Sequence, residues 1–162
     1  MPASLVNVPV GSLSLVGEMQ SRIRVEAPAD KVFDFVDDWR NATRYLHRLV
    51  KWEPVDKDAK MDVGTVFRVG IQAGPTRLDG KLEVTDYVRP EKISIRSTDG
   101  PRVVGGWTFT SDGGATYVQL RASFDLPGGI AGRLVGAFVG RNGQKDLDAS
   151  LRDLKRLVES ED

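Results

Sequence analysis

The sequence predicts an α+β fold in which one antiparallel sheet of six or seven strands wraps around a long C-terminal helix. Three observations support this prediction. Apolar and polar residues alternate over most of residues 67–124, as expected of strands with one solvated face. Turn sequences such as Ser111-Asp112-Gly113-Gly114 separate the alternating stretches. After Pro127, apolar residues recur at helical spacing instead: Leu147, Leu151, Leu154 and Val158.

The chain is expected to begin with an arm and one strand. Apolar and charged residues alternate from Ser21 to Glu26, which predicts a strand there. Residues 1–17 are predicted as an N-terminal arm, either loose or forming an extra edge strand. Residues 18–160 are predicted as a single domain, because no repeat, low-complexity tract or linker divides them.

Two short helices are expected after the first strand. Pro28 suits the first turn of a helix, where its missing N–H is not needed. The apolar residues that follow it share one face: Val32, Phe33, Phe35, Val36 and Trp39. A second short helix is predicted over residues 41–46. Six more strands and the closing helix complete the expected order.

Composition excludes several classes of function. Lys plus Arg and Asp plus Glu both number 23, so the net charge is zero and the basic surplus of a nucleic-acid binder is missing. There is no cysteine and only one histidine, so no metal site is expected. No apolar run approaches the roughly 20 residues of a membrane span, and the N-terminus lacks the pattern of a signal peptide. A cytoplasmic protein without stable membrane insertion is the prediction.

Three segments resemble the polyketide cyclase/dehydrase and START-like superfamily, which includes Bet v 1-like proteins. They are IRVEAPADKVFDFVDDW, GGWTFTSDGGATYVQLRASFDLPGG and LDASLRDLKRLVES, and the resemblance spans roughly Ser21 to Ser160. It implies the helix-grip fold, with a cavity between the sheet and the long helix. It further implies that an apolar ligand, such as a lipid or a polyketide, occupies that cavity.

The residues predicted to line the cavity come from the inward phase of the strands. They are Phe67, Val69, Ile71, Leu82, Ile95, Trp107, Phe109 and Leu120. Such a lining has few polar groups, and this favours binding of a ligand over catalysis. No cofactor is expected.

The start of the closing helix adds a second predicted part of the lining. Gly132, Gly136, Gly140 and Gly143 recur at intervals of four, four and three residues, on one stripe of a helix. Glycine is unfavourable within a helix by about 0.5–1 kcal/mol. The stripe therefore predicts cavity space beside Leu134 and Phe138, with close packing against the sheet as the alternative.

Polar candidates for catalysis are few: Tyr45 and His47, expected at the rim of the cavity, and Arg141. A hydroxyl, an imidazole or a guanidinium there could orient a polar ligand end, and the first two could move a proton. The leading hypothesis is a protein that binds a hydrophobic or aromatic small molecule. One alternative is a polyketide aromatase/cyclase or dehydratase that acts on such a ligand. Another is a protein-interaction or chaperone module without turnover.

Overall fold

A computed structural model of the chain describes residues 14–127 and 143–161. Seven antiparallel strands form one sheet in the order β1-β7-β6-β5-β4-β3-β2. The strands are β1 Ser14–Val25, β2 Leu49–Pro54, β3 Val66–Ala73, β4 Thr76–Val88, β5 Lys92–Asp99, β6 Arg102–Asp112 and β7 Ala115–Pro127. The predicted α+β architecture is confirmed, because the sheet is curled and accompanied by a C-terminal helix and two short helices.

The first strand is longer than the alternating residues predict. It begins at Ser14, within the segment predicted as an arm, and pairs with β7 along its whole length. Pairing runs from Ser14 opposite Pro127 to Val25 opposite Thr116. The long β7 supplies backbone partners to residues whose own sequence shows little alternation, so tertiary pairing extends the strand.

The two short helices lie between β1 and β2. Helix α1 covers Ala29–Asp37 and buries the apolar face that its sequence predicts. A 3-10 turn over Trp39–Asn41 follows, and helix α2 covers only Ala42–Tyr45. The second predicted helix is therefore shorter than residues 41–46.

Helix α3 covers Gly143–Ser160 and supplies a large part of the core. Leu151, Leu154 and Val158 have no exposed surface, and their spacing places them on one face of the helix. Lys155 Nζ donates to the backbone oxygen of Arg24, which fixes the helix beside β1. Within the described residues, no helix has both the length and the apolar character needed to cross a membrane.

Candidate functional site

A cavity of about 170 Å3 lies between the sheet and α3. Six of the residues predicted from strand phase contribute to its lining: Val69, Ile71, Leu82, Ile95, Trp107 and Leu120. They come from the neighbouring strands β3 to β7, because alternate residues of each strand face the helix. Leu147 of α3 lines the opposite side.

The register of β6 and β7 explains where the space comes from. Gly105 lies opposite Ala122, and both line the cavity. On one side of this pair, Trp107 lies opposite Leu120. On the other side, Val103 and Phe124 are opposite each other. The small side chain of Ala122 lies between the large ones of Leu120 and Phe124, and the backbone of Gly105 lies beside it, so a hollow remains in the inner face of the sheet.

A second, much smaller cavity of about 10 Å3 shares Trp52, Ile95 and Trp107 with the larger one. Phe67, another predicted lining residue, belongs to this smaller cavity. The indole rings of Trp52 and Trp107 meet edge to face, with centroids 6.2 Å apart. Aromatic rings therefore form much of the wall that the two cavities have in common.

Tyr45 also lines the smaller cavity and is almost completely buried, at 2% exposure. The sequence predicts it as a polar residue at the rim, and the structure places it inside the core instead. Burial raises the pKa of its hydroxyl above the ordinary value, and this effect outweighs that of the nearby indole N–H of Trp107, which lowers the pKa. The hydroxyl therefore stays protonated at neutral pH.

His47 lines the larger cavity and contacts α3 in two ways. Its Nε2 lies 2.8 Å from Oδ2 of Asp153, and its backbone N–H donates to Ser150 Oγ at 2.9 Å. The neighbouring Arg48 forms an ion pair with Asp146. The hydrogen bond from His47 lowers the pKa of Asp153 below its ordinary value.

An ionised carboxylate can only accept, so Nε2 of His47 carries the hydrogen of this bond. In the neutral ring, Nδ1 is then the basic nitrogen. The arrangement has the parts of a proton-transfer site, a base oriented by a carboxylate, at the edge of an apolar cavity. Within residues 14–127 and 143–161, no three His, Asp or Glu side chains cluster as a metal site would require.

Some of the predicted site residues lie elsewhere. Phe109 is buried but lines neither cavity, because its ring packs edge-on against Phe33 of α1. The predicted residues of the glycine-rich segment lie outside the described residues: Leu134, Gly136, Phe138, Gly140 and Arg141.

Sequence reasoning missed three parts of the site: Trp52, Gly105 and the partner of His47, Asp153. Trp52 lies on a strand whose pairing with β3 shifts register between Leu49 and Lys51, which obscures its alternation. Gly105 has no side chain to give an apolar signal. The contact between His47 and Asp153 joins residues 106 positions apart, and no local sequence pattern indicates it.

Comparisons with known proteins agree with this geometry. The model of a family described as polyketide cyclase / dehydrase and lipid transport matches residues 17–159. No curated protein matches the sequence. The structure resembles TTHA0849 from Thermus thermophilus, with 23% identity over 88% of this chain and 97% of that one, and a TM-score of 0.73.

Two further solved structures have a similar fold. The Zhui aromatase/cyclase from Streptomyces sp. R1128 is 22% identical over 90% of this chain and 98% of its own, with a TM-score of 0.68. Ara h 8.0201 is 13% identical over 90% and 99%, with a TM-score of 0.62. At these identities the structural similarity establishes the helix-grip fold alone. The family match extends over nearly the whole domain, and the chain therefore belongs to the polyketide cyclase / dehydrase and lipid transport family.

Proposed function

We propose that the protein binds an apolar or aromatic small molecule in the larger cavity. The observation that supports this most directly is the hollow beside Gly105 and Ala122, enclosed mostly by apolar side chains. Its volume of about 170 Å3 is similar to that of an engineered apolar cavity of roughly 150 Å3 that takes up benzene. A small ring system is therefore a suitable ligand in size and polarity.

The family description narrows the ligand class. It includes both polyketide cyclases and lipid transport, and one similar structure is named as an aromatase/cyclase. A lipid-like or polyketide-like molecule is the ligand that we propose. Binding of such a molecule needs no cofactor, since apolar contact area and shape supply the affinity.

The test has two steps: the bound ligand is identified, and a larger side chain is then introduced into the cavity where the ligand is proposed to bind. Native mass spectrometry of protein purified from its own host should show a retained molecule that is released on denaturation. Ala122→Leu should then weaken binding of that molecule, or of the apolar fluorescent probe Nile red, at least tenfold. The fold should survive, because a leucine there adds buried apolar surface worth about 0.8 kcal/mol for each CH2.

Ser123→Leu is the matched control. It adds a large side chain at the next position of β7, on the side of the sheet where Val104, its β6 partner, is exposed. Probe affinity should be unchanged in this variant. Equal affinities for Ala122→Leu and the wild type would contradict the proposed location of the ligand, and absence of any apolar ligand or probe binding would contradict the function.

A second candidate function is catalysis on such a ligand, as a polyketide aromatase/cyclase or dehydratase. One observation favours it: His47 lines the cavity while its Nε2 is bound to Asp153. In this proposal Nδ1 removes a proton from the carbon next to a ketone, and the C–H electron pair forms an enolate. The imidazolium then returns a proton to the carbon or to the oxygen.

Deuterium exchange measures this step without knowledge of the natural substrate. 2-Tetralone in D2O should lose its α-proton NMR signals faster with the protein than with buffer. His47→Ala should abolish the acceleration, while Tyr45→Phe should reduce it if the buried hydroxyl helps to orient the ketone. Exchange at the buffer rate, although 2-tetralone binds, would leave ligand binding as the function and exclude this chemistry at His47.

A further inference from the structure

We propose that the indole N–H of Trp107 recognises a hydrogen-bond acceptor on the ligand, so that the site selects apolar ring systems that carry a ketone oxygen. The proposal rests on the ligand-binding function and names its ligand class. Trp107 is 4% exposed. Its Nε1 is buried, and among the described residues it has no hydrogen-bond partner.

An unpaired donor at this position is unusual. Buried polar groups in proteins are nearly always hydrogen-bonded, because burial removes the water that would otherwise pair with them. The backbone of Trp107 is held on both sides, opposite Ile93 of β5 and Leu120 of β7. The donor is therefore fixed in an otherwise apolar wall, where it can distinguish a ligand with an acceptor from one without.

The two cavities provide matching space for such a ligand. The larger one has room for a ring system, and the smaller one, of about 10 Å3, has room for roughly one oxygen-sized group. Both include Trp107 in their walls. A ligand with its rings in the larger cavity and its oxygen directed at the smaller one would meet the indole N–H.

Tyr45 supports this placement of the polar end. It lines the smaller cavity, and its hydroxyl lies close enough to the indole N–H of Trp107 for that N–H to lower the hydroxyl pKa, although the contact lacks the geometry of a full hydrogen bond. The hydroxyl is a second donor next to the proposed position of the ligand oxygen. An internal water molecule could instead pair with the same groups, and the experiment separates that case from ligand recognition.

The experiment compares two probes of nearly equal shape. 2-Acetylnaphthalene has a carbonyl oxygen where 2-isopropenylnaphthalene has a CH2 group, so their affinity ratio reports the acceptor. Calorimetric titration of Trp107→Phe should show the ketone weakened relative to the alkene by roughly tenfold, the typical effect of one lost hydrogen bond. Trp52→Phe, the same change elsewhere in the shared wall, should alter both affinities alike.

A second measurement needs no variant of Trp107 to fold. The chain has three tryptophans, so the indole N–H signal of Trp107 can be assigned in 15N spectra with Trp39→Phe and Trp52→Phe. The ketone should move this signal downfield, and the alkene should not. Equal affinity ratios in wild type and Trp107→Phe, or equal shifts with both probes, would overturn the proposal. Binding of neither naphthalene probe would overturn this inference, whereas the ligand-binding function would be overturned only if Nile red and a retained host molecule also failed to bind.

Discussion

The imidazole of His47 and the carboxylate of Asp153 lie 2.8 Å apart, which connects the segment before β2 to the C-terminal helix. The backbone N–H of His47 adds a second connection to the same helix through Ser150. Both side chains of the pair are more than one third exposed, at 39% and 34%. The pair therefore mainly positions the imidazole of His47 at the cavity edge and adds little to the stability of the fold.

Asp153→Asn should destabilise the fold only slightly at neutral pH, because side-chain pairs that are this exposed contribute about 0.2–1 kcal/mol. The hydrogen bond from His47 lowers the pKa of Asp153 in the folded state. Its stabilising effect is therefore complete above the ordinary carboxyl pKa of about 3.9, and it is lost as the pH falls through the lower folded value. Urea denaturation from pH 7 to pH 3 should show the two proteins converging in acid. A difference that persists or grows in acid would contradict this.

Asp37→Asn should have the opposite pH dependence. Burial raises the pKa of Asp37, although the Tyr87 hydroxyl donates to it at 2.7 Å and Arg89 lies nearby. The folded state therefore holds this proton more tightly than the unfolded chain, and wild-type stability falls as the pH rises from about 3.9 to the higher folded value. Asparagine still accepts from Tyr87 but does not titrate.

The same urea series measures this second effect. The stability of Asp37→Asn relative to wild type should rise across that interval and level off at neutral pH. As the pH rises through the acid range, the stability of Asp153→Asn should instead fall relative to wild type. The two variants therefore act as controls for each other. A decline of Asp37→Asn with rising pH would mean that Arg89 and Tyr87 outweigh the burial of the carboxylate.

Leu151→Ala should cost about 2–5 kcal/mol of folding stability. Leu151 lies on α3, its side chain is fully buried, and the truncation leaves a cavity. Leu157→Ala is the matched control on the same helix, since Leu157 is only partly buried. The free energies of unfolding from urea titration should differ clearly. Equal losses would contradict the orientation of α3 against the sheet.

Much of this architecture could be predicted from periodicity. Strand alternation predicts the inward position of Val69, Leu82 and Leu120, because the sheet has one covered face and each strand repeats every two residues. Helical spacing likewise predicts Leu151 and Leu154 as part of the buried face of the last helix. Both patterns are local, and the tertiary structure follows them.

The site itself depends on relationships that a local pattern does not contain. The hollow requires Gly105 and Ala122 to lie opposite each other, which is a matter of strand register. The sequence shows that Trp107 is an apolar residue of a strand. It does not show which polar groups surround the indole, and therefore it cannot predict that the N–H lacks a partner. Phe109 has the inward phase of a lining residue, but α1 covers it.

Gly105→Ala should destabilise the protein although it adds only one methyl group. A Cβ at this position would collide with the backbone oxygen of Arg121 and lie 3.1 Å from Cα of Ala122. Backbone atoms of a paired strand cannot turn aside as a flexible side chain could, so β6 and β7 would have to separate. Overpacking of this kind typically costs about 1–3 kcal/mol.

Gly114→Ala is the control for that change. A Cβ at Gly114 would meet no atom within 4 Å, and its φ is not in the left-handed region. Its stability should equal that of the wild type or exceed it by up to ~1 kcal/mol, because alanine restricts the unfolded chain. In Gly105→Ala, probe affinity should fall together with stability, since the displaced strand also carries Trp107, two residues further on. If the two variants unfold at the same urea concentration, β6 and β7 can separate at little cost. The hollow would then be an adaptable surface, whereas the register of Gly105 and Ala122 predicts a rigid one.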